Sequence, residues 1–317
     1  MIAPEKISRI AVIGGGTIGA SWTAWFLSRG FSVAVTDPDP AREAYVRRLV
    51  TDAWPILTRL GMKQGASPES WRFTTDPAAA VRDAEFVQEN APERTDIKRA
   101  LYAAIENALP VETILASSSS GLMMSALQEG LRTPHRFVIG HPFNPPHLIP
   151  LVEVVGGQAT TPETIDWCMR FYRHVGKQPI HLKKEALGHL ANRLQAALWR
   201  EAVSAVASGL ASVEDVDRAV AYGPGLRWAI MGPHLTFHLG GGDGGLAHML
   251  NQFKLSFEAW WQTMGTPALD GATCRQLIEG VAAEAAGRSI QDLERERNAL
   301  LVAMQETIAA ERKKFRG

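Results

Sequence analysis

The sequence predicts a doubly wound, Rossmann-like α/β domain with a parallel sheet, followed by an all-helical domain. Three observations carry this. Short apolar runs of strand length alternate with helix-length stretches up to about residue 187. A glycine-rich turn joins the first such run to the first helical stretch. Beyond Leu187, apolar residues recur at helical spacing to the end of the chain. The expected domains are 1–187 and 188–317.

Residues 10–13 are an apolar run that ends in glycines, the first strand. Ile18, Trp22, Trp25, Phe26 and Leu27 then recur at helical spacing, and Gly30 stops that helix. Residues 32–36 are β-branched and form the second strand. Further strands are expected at 85–87, 113–116, 137–139, 151–155 and 179–182, with a helix at 95–108 between two of them. In the second half, Leu190, Leu194, Leu198, Val203, Val206 and Leu210 keep helical spacing. Ser212 followed by Glu214 and Asp215 looks like a capped helix start. Residues 288–314 are highly charged, with Leu293, Leu300, Leu301, Met304 and Ile308 as an apolar stripe. There is no internal repeat and no long linker, so the domain boundary is expected at a helix entry.

Composition excludes several classes. The chain has 317 residues, 46% hydrophobic and 21% charged, enough for two cores. Lys and Arg total 33 and Asp and Glu total 33, so no bulk charge points to nucleic acid or an anionic membrane. No apolar run approaches the ~18 residues of a membrane span, and the opening residues lack a secretion-signal pattern. Cys168 and Cys274 have neither metal-ligand spacing nor a disulfide framework, so a reducing cytoplasm is expected and no metal.

The strongest local signal is the loop Gly14-Gly15-Gly16-Thr17-Ile18-Gly19, between a strand and a helix. Gly14 permits a tight turn, Gly16 lets backbone approach a pyrophosphate, and Gly19 permits close helix–strand packing. Asp37 ends the second strand eighteen residues after Gly19. A carboxylate there accepts hydrogen bonds from a ribose diol and repels a ribose phosphate. The pattern predicts NAD rather than NADP, with FAD a weaker alternative.

A serine cluster, Ser117 to Ser120, follows the strand at 113–116. The segment Gly140-His141-Pro142-Phe143-Asn144-Pro145-Pro146 follows the strand at 137–139. The prolines hold His141 in a stiff loop at a strand end. Glu153 lies twelve residues on, inside an apolar strand, where a carboxylate needs a partner. A His141–Glu153 pair is a plausible acid/base unit, the acid orienting and charging the ring. A structural loop histidine fits the pattern as well.

These motifs, with the later Ala191-Asn192-Arg193-Leu194, follow the order and spacing of the L-3-hydroxyacyl-CoA dehydrogenase superfamily, which the chain resembles over nearly its whole length. The resemblance implies a general acid/base at His141 with Glu153 as its partner. It also implies that Ser120, twenty-one residues before His141, and Asn192 contact the substrate oxygen. The stretch 87–93 with Lys98 resembles the family's segment beside the nicotinamide ribose, which implies Glu93, Lys98 and Asn144 at the cofactor. Ser118 and Ser119 stand where the acyl-CoA branch has Asn-Thr, and no lysine-rich arm for a CoA phosphate follows Asp37. The serine and histidine motifs are closer to the branch acting on small, non-CoA hydroxy acids. The helical half is most similar to the members that oxidise carnitine. L-Gulonate, an acyl-CoA ester and a non-catalytic, crystallin-like role remain as alternatives. The resemblance also implies a homodimer through the helical domain.

The helical half is compatible with a cationic substrate. Trp199, Trp228, Trp260 and Trp261 fall in it, with Phe237, Phe253 and Phe257. A quaternary ammonium donates no hydrogen bond and is best held by aromatic faces. Trp228 is the expected substrate contact, although any one of these rings could equally be helix core. The expected reaction is hydride transfer between NAD and a 3-hydroxy acid lying between the domains.

Overall fold

The computed structural model describes residues 1–316. Contacts divide the chain into two compact units, Met1–Asn192 and the remainder from Arg193.

The first unit is built on an eight-stranded sheet. Its strands are β1 (Arg9–Ile13), β2 (Ser32–Thr36), β3 (Trp71–Thr74), β4 (Phe86–Glu89), β5 (Ile114–Ser117), β6 (Phe137–Pro142), β7 (Leu151–Gly156) and β8 (Gln178–Leu182). They run in the order β3-β2-β1-β4-β5-β6-β7-β8. Strands β1 to β6 are parallel to one another, but β7 is antiparallel to β6, and β8 runs parallel to β7. The sheet is thus parallel only in part. The connection 143–150 is shorter than the dozen or so residues a parallel crossover needs, so the chain turns back on itself. The pattern of residues also leaves β3 unannounced: four residues, two of them polar, at the sheet edge.

Helices α1 (Thr17–Ser28), α2 (Arg42–Arg59), α3 (Pro77–Val81), α4 (Thr95–Ile105), α5 (Met124–Leu127) and α6 (Pro162–His174) accompany the sheet. Strand alternation assigns side chains to two cores. Ile10 and Val12 of β1 join Trp22, Phe26, Phe171 and Tyr172 from α1 and α6. Ala11 and Ile13 point the other way, toward Tyr102 and Ile105 of α4. Helix α1 is buried on all sides from Gly19 to Ser28, which explains why it is apolar throughout rather than amphipathic. Thr161 caps α6 by accepting from the Thr164 N–H.

The loop after β6 is pinned at two points. The Ser21 hydroxyl of α1 accepts from the His147 N–H at 2.9 Å and meets His147 Nδ1 at 2.7 Å. The buried Lys177 ammonium donates to the carbonyls of Pro146 and Ile149 and lies 3.7 Å from the Trp25 ring centre. Burial pushes the Lys177 pKa well down, with the nearby Arg29 charge adding to it.

The second unit is helical. Helix α7 (Ala191–Ala207) leads into it, followed by α8 (Val213–Tyr222), α9 (Pro224–Trp228), α10 (Pro233–Gly240), α11 (Gly245–Thr263), α12 (Gly271–Ala285) and α13 (Ile290–Arg316). Ser212 caps α8 as its sequence suggests, accepting from the Asp215 N–H at 3.1 Å. Many large apolar side chains of this unit are exposed, among them Trp199, Ile278, Val281, Ile290 and Leu300. Among the described residues no helix is long and apolar enough to cross a membrane.

Candidate active site

The glycine loop sits between β1 and α1, at the carboxyl edge of the parallel strands. Gly14 has φ +91°, and a Cβ there would lie 2.6 Å from the Asn90 carbonyl oxygen. At Gly19 a Cβ would fall 1.8 Å from the Gly14 carbonyl oxygen, so only glycine lets α1 approach the turn. Gly16, by contrast, faces open space. It is the N-cap of α1, and no side chain caps that end. Thr17 and Ile18 open the helix, so unpaired N–H groups stand where a pyrophosphate would lie.

A cavity of about 490 Å³ continues from Gly14 and Gly16 past Asp37 to Thr75, Pro77, Ile97 and Leu101. Its apolar far end suits an adenine ring. Asp37 also organises the loop: one carboxylate oxygen accepts the Gly15 N–H at 2.7 Å, the other the Asp39 N–H at 3.0 Å. Lone pairs remain for a ribose diol. These residues fit a dinucleotide. Arg42 lines the same cavity; its ion pair with Asp39 is long, 3.8 Å, and exposed. Thr75, Pro77, Ile97 and Leu101 carry no sequence signal, since they come from two separate segments that meet the glycine loop only in the fold.

The serine cluster is held by Glu93. One carboxylate oxygen accepts from the Ser119 hydroxyl at 2.7 Å and from the N–H groups of Ser120, Gly121 and Leu122 at 2.9, 2.8 and 3.3 Å. Burial raises the Glu93 pKa. The Ser119 hydroxyl, the Gly121 N–H, the Lys98 charge and the Leu122 N–H outweigh it and hold the carboxyl below its ordinary value. Lys98 points inward: its ammonium donates to Glu89 at 2.6 Å and to the Ala91 carbonyl at 2.9 Å, and it is 1% exposed. Tyr102 and Ser117 donate to the other oxygen of Glu89. Lys98 therefore supports the Asn90–Pro92 edge of the cavity from behind rather than reaching into it.

The β6–β7 hairpin puts His141 directly opposite Glu153 as Cα partners. Their side chains meet at 2.8 Å, His141 Nδ1 to Glu153 Oε2, in a setting where Glu153 is fully buried. The other oxygen of Glu153 accepts the N–H groups of Leu190 and Ala191, each at 2.9 Å. Burial raises the Glu153 pKa, but the bonds from His141, Ala191 and Leu190 and the His141 charge prevail and keep it below the ordinary value. An ionised Glu153 can only accept, so His141 Nδ1 carries the proton and Nε2 presents a lone pair.

Ser120 and Asn192 lie beside each other. The Asn192 amide donates to the Ser120 carbonyl at 3.4 Å, and the Ser120 side chain is exposed. Asn144 follows on the histidine loop, preceding a cis bond to Pro145. His189 is the group that sequence reasoning missed. It packs 5.2 Å from His141, ring centre to ring centre, and its Nε2 donates to the Ser119 carbonyl at 2.9 Å. In the second unit, Trp228 closes α9 and is 40% exposed, and Phe237, Phe257 and Trp260 form an edge-to-face cluster with centroids 5.2 and 5.1 Å apart.

Residues 9–186 match the family described as 3-hydroxyacyl-CoA dehydrogenase, NAD binding domain, and residues 188–268 match its C-terminal domain. The chain is 50% identical to an L-carnitine dehydrogenase of Streptomyces coelicolor over 94% of each chain. It is 42% identical to an L-carnitine dehydrogenase of a Pseudomonas species, covering 97% of this chain and 96% of the relative. Among solved structures it resembles FHMPC 5-dehydrogenase, described as an NAD+-dependent dismutase. The TM-score is 0.83 at 30% identity, over 96% of this chain and 99% of the other.

Proposed function

The chain belongs to the 3-hydroxyacyl-CoA dehydrogenase family, and from that premise we propose that it oxidises the 3-hydroxyl of L-carnitine to 3-dehydrocarnitine with NAD. The buried His141–Glu153 pair carries the chemistry in this reading; the relatives named for carnitine support the substrate.

NAD, when held by these residues, would supply the hydride acceptor for the carbon that bears the hydroxyl. His141 Nε2 accepts the hydroxyl proton as that bond breaks. Glu153 fixes the ring and neutralises the imidazolium that forms. The Ser120 hydroxyl and the second N–H of the Asn192 amide donate to the oxygen that becomes a carbonyl, which stabilises the oxyanion in the reverse direction. Gly14, Gly16, Thr17, Ile18, Gly19 and Asp37 hold the cofactor, with Asn144 and Glu93 toward its nicotinamide end and Lys98 behind. Trp228 offers a face to the trimethylammonium group, a contact worth about 0.5–2 kcal/mol.

The exposed apolar side chains of the helical unit surround a groove of about 530 Å³ lined by Trp199, Ile278, Val281 and Ile290. A second copy of the chain covers it in this reading, and the dimer works in the cytoplasm.

The test is turnover with NAD of L-carnitine, its neutral carbon isostere, L-gulonate and a 3-hydroxyacyl-CoA. Carnitine is expected to win in kcat/KM, and Trp228→Ala is expected to raise its KM severalfold. Equal use of the neutral isostere, or preference for gulonate or the CoA ester, would overturn the substrate while leaving the dehydrogenase in place.

A further inference from the structure

Each oxidation by this chemistry leaves one proton on His141, and that proton has to leave before the next turnover. His141 is 6% exposed. Its Nδ1 side is closed: Glu153 is fully buried, and its two oxygens already accept three hydrogen bonds. Passage through Glu153 would require protonating a carboxylate that those bonds hold ionised. The proton must leave from Nε2.

His189 stands beside that ring. Its side chain is 2% exposed, and the rings are 5.2 Å apart with planes tilted by 49°. Because Nε2 faces a carbonyl, it must be the protonated nitrogen. That leaves Nδ1 as a bare acceptor, buried and without a hydrogen-bond partner among the described residues. An orphaned buried acceptor is costly, because it has given up water for nothing. The backbone adds to the cost, since His189 adopts φ +50°, a left-handed region that is uncommon outside glycine even though His enters it more often than most residues. Two local penalties at one residue beside the general base point to a use for that nitrogen. The charged and titratable groups around it are His141, Glu153 and Glu93. Burial, the largest effect, and the neighbouring His141 keep the His189 pKa below its ordinary value against the raising effects of the Ser119 carbonyl and the two carboxylates. Burial thus favours the neutral ring, whose Nδ1 can accept a hydrogen bond.

We propose that His189 is a positioning residue for proton release, holding through Nδ1 a water that relays the proton away from His141. This rests on the acid/base role given to His141 above. Carnitine has a single O–H, and His141 takes it, so the donor that meets His189 Nδ1 is a water. As the His141 Nε2–H bond breaks, its proton bonds to the water oxygen. One of the water's own protons passes on to a buffer base in solution, while the other keeps the water bonded to His189 Nδ1. His141 is neutral again, and His189 stays neutral throughout.

The experiment compares His189→Gln, His189→Asn and His141→Ala with the unmodified chain, using L-carnitine and NAD. Glutamine can keep the donor to the Ser119 carbonyl but offers no acceptor in place of Nδ1. Asparagine places an oxygen near the Nδ1 position and tolerates positive φ. NAD affinity and Tm report on folding. The proposal expects His189→Gln to lose at least about tenfold in kcat with KM little changed. It expects added imidazole buffer to restore part of that loss, and His189→Asn to retain more activity than His189→Gln. A His189→Gln variant with normal kcat, or one whose loss appears in KM and ignores imidazole, overturns the relay. If His141→Ala also turns over normally, the acid/base reading itself has failed; a silent His189→Gln beside a dead His141→Ala refutes the relay alone.

Discussion

Replacing Glu153 by glutamine keeps the shape of the side chain and reverses the sense of one hydrogen bond. One oxygen of Glu153 accepts from Leu190 and Ala191, the other from His141 Nδ1. A glutamine amide has one accepting oxygen and one donating NH2. With the oxygen toward the two backbone groups, the NH2 meets His141 Nδ1, which must then be bare. The ring proton moves to Nε2, where the reaction needs a lone pair. With the amide turned over, its NH2 faces two buried N–H groups, at about 1–3 kcal/mol for each one left unpaired. The first arrangement therefore prevails. Loss of a general base costs about 10²–10⁴, and an acid-to-amide change that imposes the wrong histidine tautomer in a Ser-His-Asp triad costs about 10⁴. The expected fall in kcat is about 10³–10⁴, equivalent to about 4–5.5 kcal/mol. NADH formation from L-carnitine measures it, with NAD affinity as a control expected to stay within about twofold, since Glu153 touches none of the residues lining the nucleotide cavity. A Glu153→Gln variant within about threefold of the unmodified kcat would refute the reasoning.

Three further outcomes are expected. His141→Ala should bind NAD almost normally and lose about 100-fold or more in turnover; loss of NAD binding with a normal residual rate would make His141 structural. The unmodified chain should prefer NAD to NADP, and Asp37→Ala should weaken NAD roughly tenfold and shrink that preference, because both oxygens of Asp37 also hold the loop; equal use of both cofactors by the unmodified chain would contradict this. Glu93 has a lowered folded pKa, so its stabilisation is complete above the ordinary glutamate value of about 4.3 and is lost as pH falls through the lowered value. Glu93→Gln should therefore cost roughly 1 kcal/mol after solvent screening, or about 2–4 °C in Tm, at pH 7, with the gap closing below about pH 4; a gap that persists in acid would show the wrong sign.

Local signals survived into the structure where one segment supplies all the geometry. The glycine loop is such a case: strand, turn and helix are contiguous, and the constraints at Gly14 and Gly19 act within that segment or against its nearest neighbour strand. The Ser212 cap is another. Lys98 shows the opposite. A lysine near the cofactor segment suggested a contact with the cofactor, yet the carboxylate of Glu89, nine residues earlier, draws it inward. Burying an ammonium demands a paired anion, and which anion lies within reach depends on how α4 packs on β4. Strand β3 went unread because a short, half-polar edge strand needs only one neighbour to form.

By itself the sequence determined the strand–turn–helix unit, the acid at the end of β2, and the identity of His141 and Glu153 as candidates. Residue types and short spacings are sufficient for these, since hydrogen bonding and sterics within a few residues decide them. Tertiary structure alone decided that the chain reverses between β6 and β7, which turns a twelve-residue spacing into a 2.8 Å hydrogen bond. It also decided which proton His141 carries, because that depends on N–H groups of Leu190 and Ala191, nearly forty residues further along, keeping Glu153 ionised. And it brought His189 against His141. Electrostatics and tautomers are set by what surrounds a group in space, and distant stretches of chain meet there only after the sheet has folded.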